Sequence, residues 1–295
     1  MDVLEKIAAN HVVLLDGAMG TELAKRGSEM GGRTNITDPG HVLAVHRDYI
    51  YAGSDILITN TLTMNRIYIE AHSQDINTEM VNMEGARLAR EAINGSQLVF
   101  GDISSTGQFL EPYGDYTEAQ FYDNFREQAD ILIKGKVDGF IIETVSDMRE
   151  AACALKACRD AAPVPVLVSM SFASSANGGH TMMGNTVDEI VKMAEENGAT
   201  AVGANCGELD PEEMAELVKL FKKSTTLPLI IQPNAGKPVL KNDGTTDFNM
   251  MPDKFSDLLM KCIDNGATII GGCCGTTPEH ISAVAQRIRG RKTAH

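Results

Sequence analysis

The chain has 295 residues, 43% of them apolar and 22% charged, a balance that supports a sizeable core and excludes a disordered chain. Its 26 Lys and Arg stand against 40 Asp and Glu, a net charge of −14, which is unsuited to nucleic-acid phosphates or an anionic membrane surface. No apolar run approaches the ~20 residues of a membrane span, and Met1-Asp2-Val3-Leu4-Glu5-Lys6 lacks the basic head and apolar stretch of a secretory leader, so a cytoplasmic setting is expected.

Continuous β-rich runs recur at residues 12–19, 55–61, 98–103, 139–144, 164–172, 201–206, 227–233 and 267–272. Continuous rather than alternating apolar character marks strands covered on both faces, as in parallel sheets. Helical patterns lie between them, at residues 78–93, 117–133, 211–221, 252–263 and 278–288. The last three open on proline, which suits a first helical turn, and Thr276-Thr277 supply caps before Pro278. Eight strands alternating with helices over this length predict one (β/α)8 barrel, an α/β fold, occupying residues 1–295 as a single domain. An open doubly wound sheet is the alternative. It is disfavoured because Gly17-Ala18-Met19-Gly20 does not have the glycine spacing of a dinucleotide-binding turn.

In a barrel the chemistry gathers where the strands end. The first strand ends at Asp16-Gly17, the fourth at Glu143-Thr144, the sixth at Asn205-Cys206, the seventh at Gln232-Pro233-Asn234 and the eighth at Gly272-Cys273-Cys274. Half of the six cysteines thus fall at two strand ends. The sixth and eighth strands are two apart around the barrel, close enough to share an ion. Taken singly, each cysteine is most simply a buried, inert thiol. Three converging thiolates with a fourth position open describe a catalytic zinc site instead, and their softness favours zinc over magnesium or calcium. Cys153, Cys158 and Cys262 sit in helical apolar patterns and are expected to be buried. The seven histidines show no ligand spacing.

The run Leu15-Asp16-Gly17-Ala18-Met19-Gly20-Thr21-Glu22-Leu23 resembles the opening motif of the homocysteine S-methyltransferase family. Gly203-x-Asn205-Cys206 and Gly271-Gly272-Cys273-Cys274-Gly275-Thr276-Thr277-Pro278-Glu279-His280-Ile281 resemble its zinc motifs. Gly101-Asp102-Ile103 with Thr106-Gly107, and Pro233-Asn234-Ala235-Gly236-Lys237-Pro238, look most like the homocysteine-binding module of cobalamin-dependent methionine synthase. The resemblance implies a (β/α)8 barrel with zinc on Cys206, Cys273 and Cys274. It implies homocysteine bound as a zinc thiolate and methylated to methionine, with Glu143 on the substrate ammonium and Asn234 at the fourth zinc position when substrate is absent. Asp16 is a plausible second ammonium contact, and the backbone around Gly17, Ala18, Met19 and Gly20 can hold the substrate carboxylate.

Two stretches depart from the family pattern. Ser104-Ser105 stand where Gly-Pro is usual, and Leu62-Thr63-Met64-Asn65 follow Asn60-Thr61 where Phe-Gly or a similar pair is usual. Both are expected to flank the pocket mouth. The methyl donor is expected to be methylcobalamin on a separate corrinoid protein, with no nucleic-acid or membrane partner. The alternatives are a small donor such as betaine or S-methylmethionine, and the reverse transfer from a methylated small molecule to a corrinoid protein. A non-catalytic zinc- or amino-acid-binding protein is a further one. The sequence leaves the oligomeric state open.

Overall fold

A strand that is apolar at every position needs cover on both faces, and these runs obtain it by closing on themselves. The computed structural model describes residues 5–6, 11–240 and 246–292; most of the stretch read for a leader lies outside the described residues, as does His295. The barrel strands are β1 (Val13–Leu14), β2 (Ile56–Ile58), β3 (Leu98–Ile103), β4 (Gly139–Val145), β5 (Val166–Met170), β6 (Ala201–Asn205), β7 (Leu229–Gln232) and β8 (Ile269–Ile270). They lie side by side in the order β1-β8-β7-β6-β5-β4-β3-β2, and every pairing is parallel. A parallel bridge between Leu15 and Ile56 closes the ring, beside a 2.7 Å hydrogen bond from Asp55 N–H to the Leu14 carbonyl.

Around the ring run α1 (Pro39–Ala52), α2 (Thr78–Ala92), α3 (Glu118–Lys134), α4 (Met148–Ala161), α5 (Val187–Glu196), α6 (Pro211–Ser224), α7 (Pro252–Asp264) and α8 (Pro278–Lys292). The expected (β/α)8 barrel is the observed fold. Capping boxes begin α3, α5 and α6 at Thr117–Gln120, Thr186–Glu189 and Asp210–Glu213, fixing where each loop ends and its helix starts.

The period of two along each strand divides its side chains between two cores. Val13, Leu15, Ile56, Ile58, Phe100, Ile141, Leu167, Ala201, Ile230 and Ile269 form one buried cluster, the plug inside the barrel. Their neighbours, such as Leu14, Leu57, Phe140, Val168, Val202 and Ile270, join the larger core beneath the helices. Two positions farther along each strand, the inward residue lies at the carboxyl end of the barrel. This alternation places Asp102, Glu143, Ser169 and Gln232 there, with Asn205 one further alternation along, four residues beyond Ala201.

Several boundaries differ from the sequence reading. The first run is a strand only at Val13–Leu14, and Met19 already starts a short helix, Met19–Lys25. A side chain on Gly17 would meet Thr276 Oγ1 at 2.7 Å and the Tyr49 hydroxyl at 2.8 Å, so the chain turns there. The fifth run breaks at Ser171: Phe172–Ser174 pairs antiparallel with His180–Thr181 as a hairpin beyond the barrel. A second hairpin, Val239–Leu240 with Thr246–Asp247, follows β7. Helix α1 was not anticipated, because its buried face, Val42, Val45, Tyr49 and Ile50, is interrupted by fully buried His46.

Neither ring nitrogen of His46 has a hydrogen-bond partner, and burial pushes its pKa down to about 3. The neutral ring is therefore favoured in the fold. The stability this represents is complete above the unfolded value near ~6.5 and is lost as the pH falls towards 3. Between pH 7 and pH 5 the linkage amounts to about 2 kcal/mol. A His46→Leu variant should lose that much less stability over the same interval than the parent protein, as urea-unfolding midpoints will show.

Candidate active site

Strand β7 lies between β6 and β8 and draws their ends together. Cys206 N–H donates to the Gln232 carbonyl (3.2 Å) and Cys273 N–H to the Pro233 carbonyl (2.9 Å), while Ala235 N–H donates to the Cys274 carbonyl (2.9 Å). The β6–β7 approach is so close that a Cβ on Gly203 would lie 1.8 Å from the Ile230 carbonyl oxygen. Cys206 itself has φ +52°, an uncommon backbone state for a non-glycine residue. The outcome is that the sulfurs of Cys206, Cys273 and Cys274 lie within 4.8 Å of one another, half-buried, with Cys206 and Cys274 3.9 Å apart. All six cysteines are free thiols, and Cys153, Cys158 and Cys262 are buried in the helices as expected.

The three thiols share hydrogen bonds and charge. Hydrogen bonds from Cys273 and Cys274 push the Cys206 pKa down to about 3, and Cys274 is correspondingly held up to about 12. One thiolate is thus stabilised at the expense of the others. A soft dication would hold all three deprotonated, and this donor set fits zinc. Buried Asn234 adds an oxygen: its Nδ2 donates to the Gly207 carbonyl at 3.0 Å, while its Oδ1 has no partner.

Beside the thiols is a cavity of about 540 Å³ lined by Cys273, Cys274, Asp16, Asp102, Glu143 and Gln232, by residues 17–21 and by Leu62, Thr63, Met64 and Tyr68. Its three inner carboxyls are all buried, and burial is the main reason that each holds its proton more tightly than usual. Asp16 is raised by burial, although its carboxylate accepts Ile58 N–H at 2.9 Å. Asp102 is raised by burial and then by Glu143 and Asp16, and its Oδ1 has no partner. Glu143 is pushed up to about 7 by burial and then by Cys206, and accepts a 3.1 Å hydrogen bond from Gln232. Three such groups form a receptacle for a cation with N–H donors.

Asp16, Gly17, Ala18, Met19, Gly20 and Glu143 all line this one cavity, together with Cys273 and Cys274. Ala18 N–H is committed to Thr276 Oγ1 at 3.0 Å, whereas no side chain caps the helix that begins at Met19. The sequence reading assigned no role to Asp102 or Gln232. The signal was the inward alternation itself: Asp102 follows Phe100, and Gln232 follows Ile230, by two residues. Of the two departures, residues 62–64 line the cavity, while Ser104 and Ser105 are not among its lining residues. Ser105 instead donates its hydroxyl to buried Glu150 at 2.8 Å, and Asn65 Nδ2 donates to both serine carbonyls.

Fold and site define a (β/α)8 barrel with a three-cysteine centre beside an acidic cavity at its carboxyl face. The family model for homocysteine S-methyltransferase matches residues 13–288, and the chain belongs to that family. Methionine synthase from Mycobacterium leprae is 29% identical over 97% of this chain, and that from Mycobacterium tuberculosis 28% over 99%. The chain spans about a quarter of the length of these relatives (25% and 26%). The metallated form of the Escherichia coli homocysteine methyltransferase MmuM shares the fold, with a TM-score of 0.78, 24% identity and coverage of 96% of this chain and 98% of that one.

The buried carboxyl of Glu143 has a stability cost with a definite sign. Because its folded pKa is raised, folding is unpenalised below the ordinary value near ~4.5, and the cost grows as the pH rises through 7. In chelator-treated protein, Glu143→Gln should be more stable than the parent at pH 8, by an amount on the order of 3 kcal/mol. The difference should vanish towards pH 4.5 in denaturant titrations at the two pH values.

Proposed function

We propose that the chain, a single homocysteine-binding barrel, is a zinc-dependent methyltransferase that converts homocysteine to methionine. The observation that carries this reading is the convergence of Cys206, Cys273 and Cys274 within 4.8 Å beside an acidic cavity, in a chain of this family. Cys206, Cys273 and Cys274 would hold the metal. A free thiol with a pKa near ~8.5 is mostly protonated at neutral pH; a zinc ion held by these cysteines would supply the Lewis acidity that favours the substrate thiolate. Three cysteine thiolates already outweigh the charge of the dication, so a further sulfur ligand keeps its electron density and its nucleophilicity.

The chain's own residues bind and orient the amino-acid end. Glu143, Asp16 and the partnerless oxygen of Asp102 are acceptors for the ammonium, whose positive charge relieves their mutual repulsion. The uncapped N–H groups after Ala18 are the donors for the carboxylate. The partnerless Oδ1 of Asn234 would be available as an oxygen donor to the metal when substrate is absent. The buried plug below excludes water from beneath.

We place the methyl donor on a separate corrinoid protein. Two observations support this. The relatives at 28–29% identity are methionine synthases, and the motifs at residues 101–107 and 233–238 resemble the module of the cobalamin-dependent form. Apolar side chains are also exposed on several of the loops that follow the strands: Met30, Phe109, Tyr113, Met182, Leu240 and Met251. Such side chains offer a docking protein more contact than a small polar donor needs. A reverse reading, demethylation of a small methylated substrate, draws on the departing residues 62–64 in the cavity wall. A cytoplasmic setting suits the free thiols.

Zinc-loaded protein should form methionine from homocysteine with methylcobalamin, and not with betaine or S-methylmethionine. Methionine with none of the three donors would refute the reading. Cys273→Ser should lose both stoichiometric zinc and at least 100-fold in activity; full activity in that variant rules out the metal centre.

A further inference from the structure

Asn205 is fully buried and uses both ends of its amide. Its Oδ1 accepts Thr144 N–H at 2.9 Å and the Ser169 hydroxyl at 3.0 Å. Its Nδ2 donates to Thr144 Oγ1 at 2.7 Å, and its second N–H reaches Cys273 Sγ at 3.8 Å. Thr144 follows Glu143 and has φ +59°, a strained state for a β-branched residue. Cys206 follows Asn205 and has φ +52°. One side chain therefore ties the strained end of β4, the strained end of β6 and a sulfur at the end of β8.

Three bonds hold the amide plane to β4 and β5, which leaves its remaining donor aimed at sulfur. The sulfur contact of Cys206 is instead inside the cluster, with Cys274 Sγ at 3.9 Å. Among the hydrogen bonds of the described residues, Asn205 supplies the donor to Cys273 that comes from outside the cysteine cluster. We infer that Asn205 is a positioning residue of the metal centre, which donates an N–H···S hydrogen bond to the Cys273 thiolate and couples that sulfur to the Glu143–Thr144 turn. The inference rests on the zinc reading above. Physically, the N–H draws electron density from a sulfur in a centre with an excess of thiolate charge. That tunes metal affinity and leaves more of the donor strength to the substrate sulfur. A purely structural amide would support the loops equally well and leave the sulfur electronically untouched.

Cobalt(II) substitution reads the sulfur directly, through the thiolate-to-cobalt charge-transfer band. Loss of the N–H raises the energy of the sulfur electrons, so the band should move to longer wavelength. Asn205→Asp keeps the size and the two accepted hydrogen bonds but cannot donate to sulfur. Should it fail to fold, Asn205→Ser keeps an acceptor near Thr144 and likewise removes the N–H. Either variant should show the red shift and a 10–100-fold loss of zinc affinity in chelator competition. Ser169→Ala, which loosens the same amide without removing the donor, should lose stability and keep the parent band. An unshifted band in folded Asn205→Asp or Asn205→Ser overturns the inference. A parent protein with no thiolate band at all overturns the zinc reading as well, so the two failures are distinguishable.

Discussion

Three thiols within 4.8 Å of one another cannot all be ionised unless a cation lies among them. That constraint organises the carboxyl end of the barrel. The sulfurs belong to positions 206, 273 and 274, far apart in sequence, and only the barrel order β6-β7-β8 brings them together. The backbone hydrogen bonds from Cys206 and Cys273 to the end of β7 then set the separation. The strain stored at Cys206 is held by the packing of β6 on β7, where only glycine fits at position 203. Packed this closely, one sulfur carries negative charge more readily than its neighbours, and the cluster offers a soft donor set to a soft metal.

The rest of the end layer repeats the same logic with opposite chemistry. The plug of apolar side chains creates a low-dielectric floor, and Asp16, Asp102 and Glu143 stand on it. Each is costly there as an anion. A fold that only needed stability would place apolar or amide groups at these positions, so the instability is concentrated where a cationic ligand can relieve it. On the proposed function, the sulfur centre takes a metal and the carboxyls take an ammonium. A molecule bearing a thiol at one end and an ammonium at the other satisfies both, and an amino-acid thiol is such a molecule.

The fold was legible because burial on both faces leaves a continuous apolar signature, and the strands carry it wherever they are long enough. The signature misled at the margins. In the first run the apolar residues Ala18 and Met19 belong to the turn and the following helix, not to β1. In the fifth, Ser171 divides a barrel strand from a hairpin that the pattern could not separate. The convergence of Cys206, Cys273 and Cys274 was legible because glycine-rich strand ends mark close backbone approach. Asp102 and Asn205 were harder to see. Their importance lies in what their polar atoms lack or reach, an unpartnered oxygen in one case and a distant sulfur in the other. Neither property is encoded in local spacing.

The departures from the family pattern also divide on physical grounds. Ser105, in the place of a proline, gains a hydroxyl that donates to Glu150 and accepts Gly107 N–H at 3.1 Å. Glu150 in turn accepts both the Thr106 N–H and its hydroxyl. A proline stiffens a loop by its ring; here a buried carboxylate and three donors stiffen it instead, away from the cavity. The β2 loop is braced comparably, with Asn82 Nδ2 on the Met64 carbonyl and Gln128 Nε2 on the Thr61 carbonyl. Yet its residues Leu62, Thr63 and Met64 face the cavity. The first change preserves rigidity by another route and leaves the pocket surface alone. The second places Leu62, Thr63 and Met64 in the cavity wall on a braced frame, so any effect of that departure falls on the pocket surface itself.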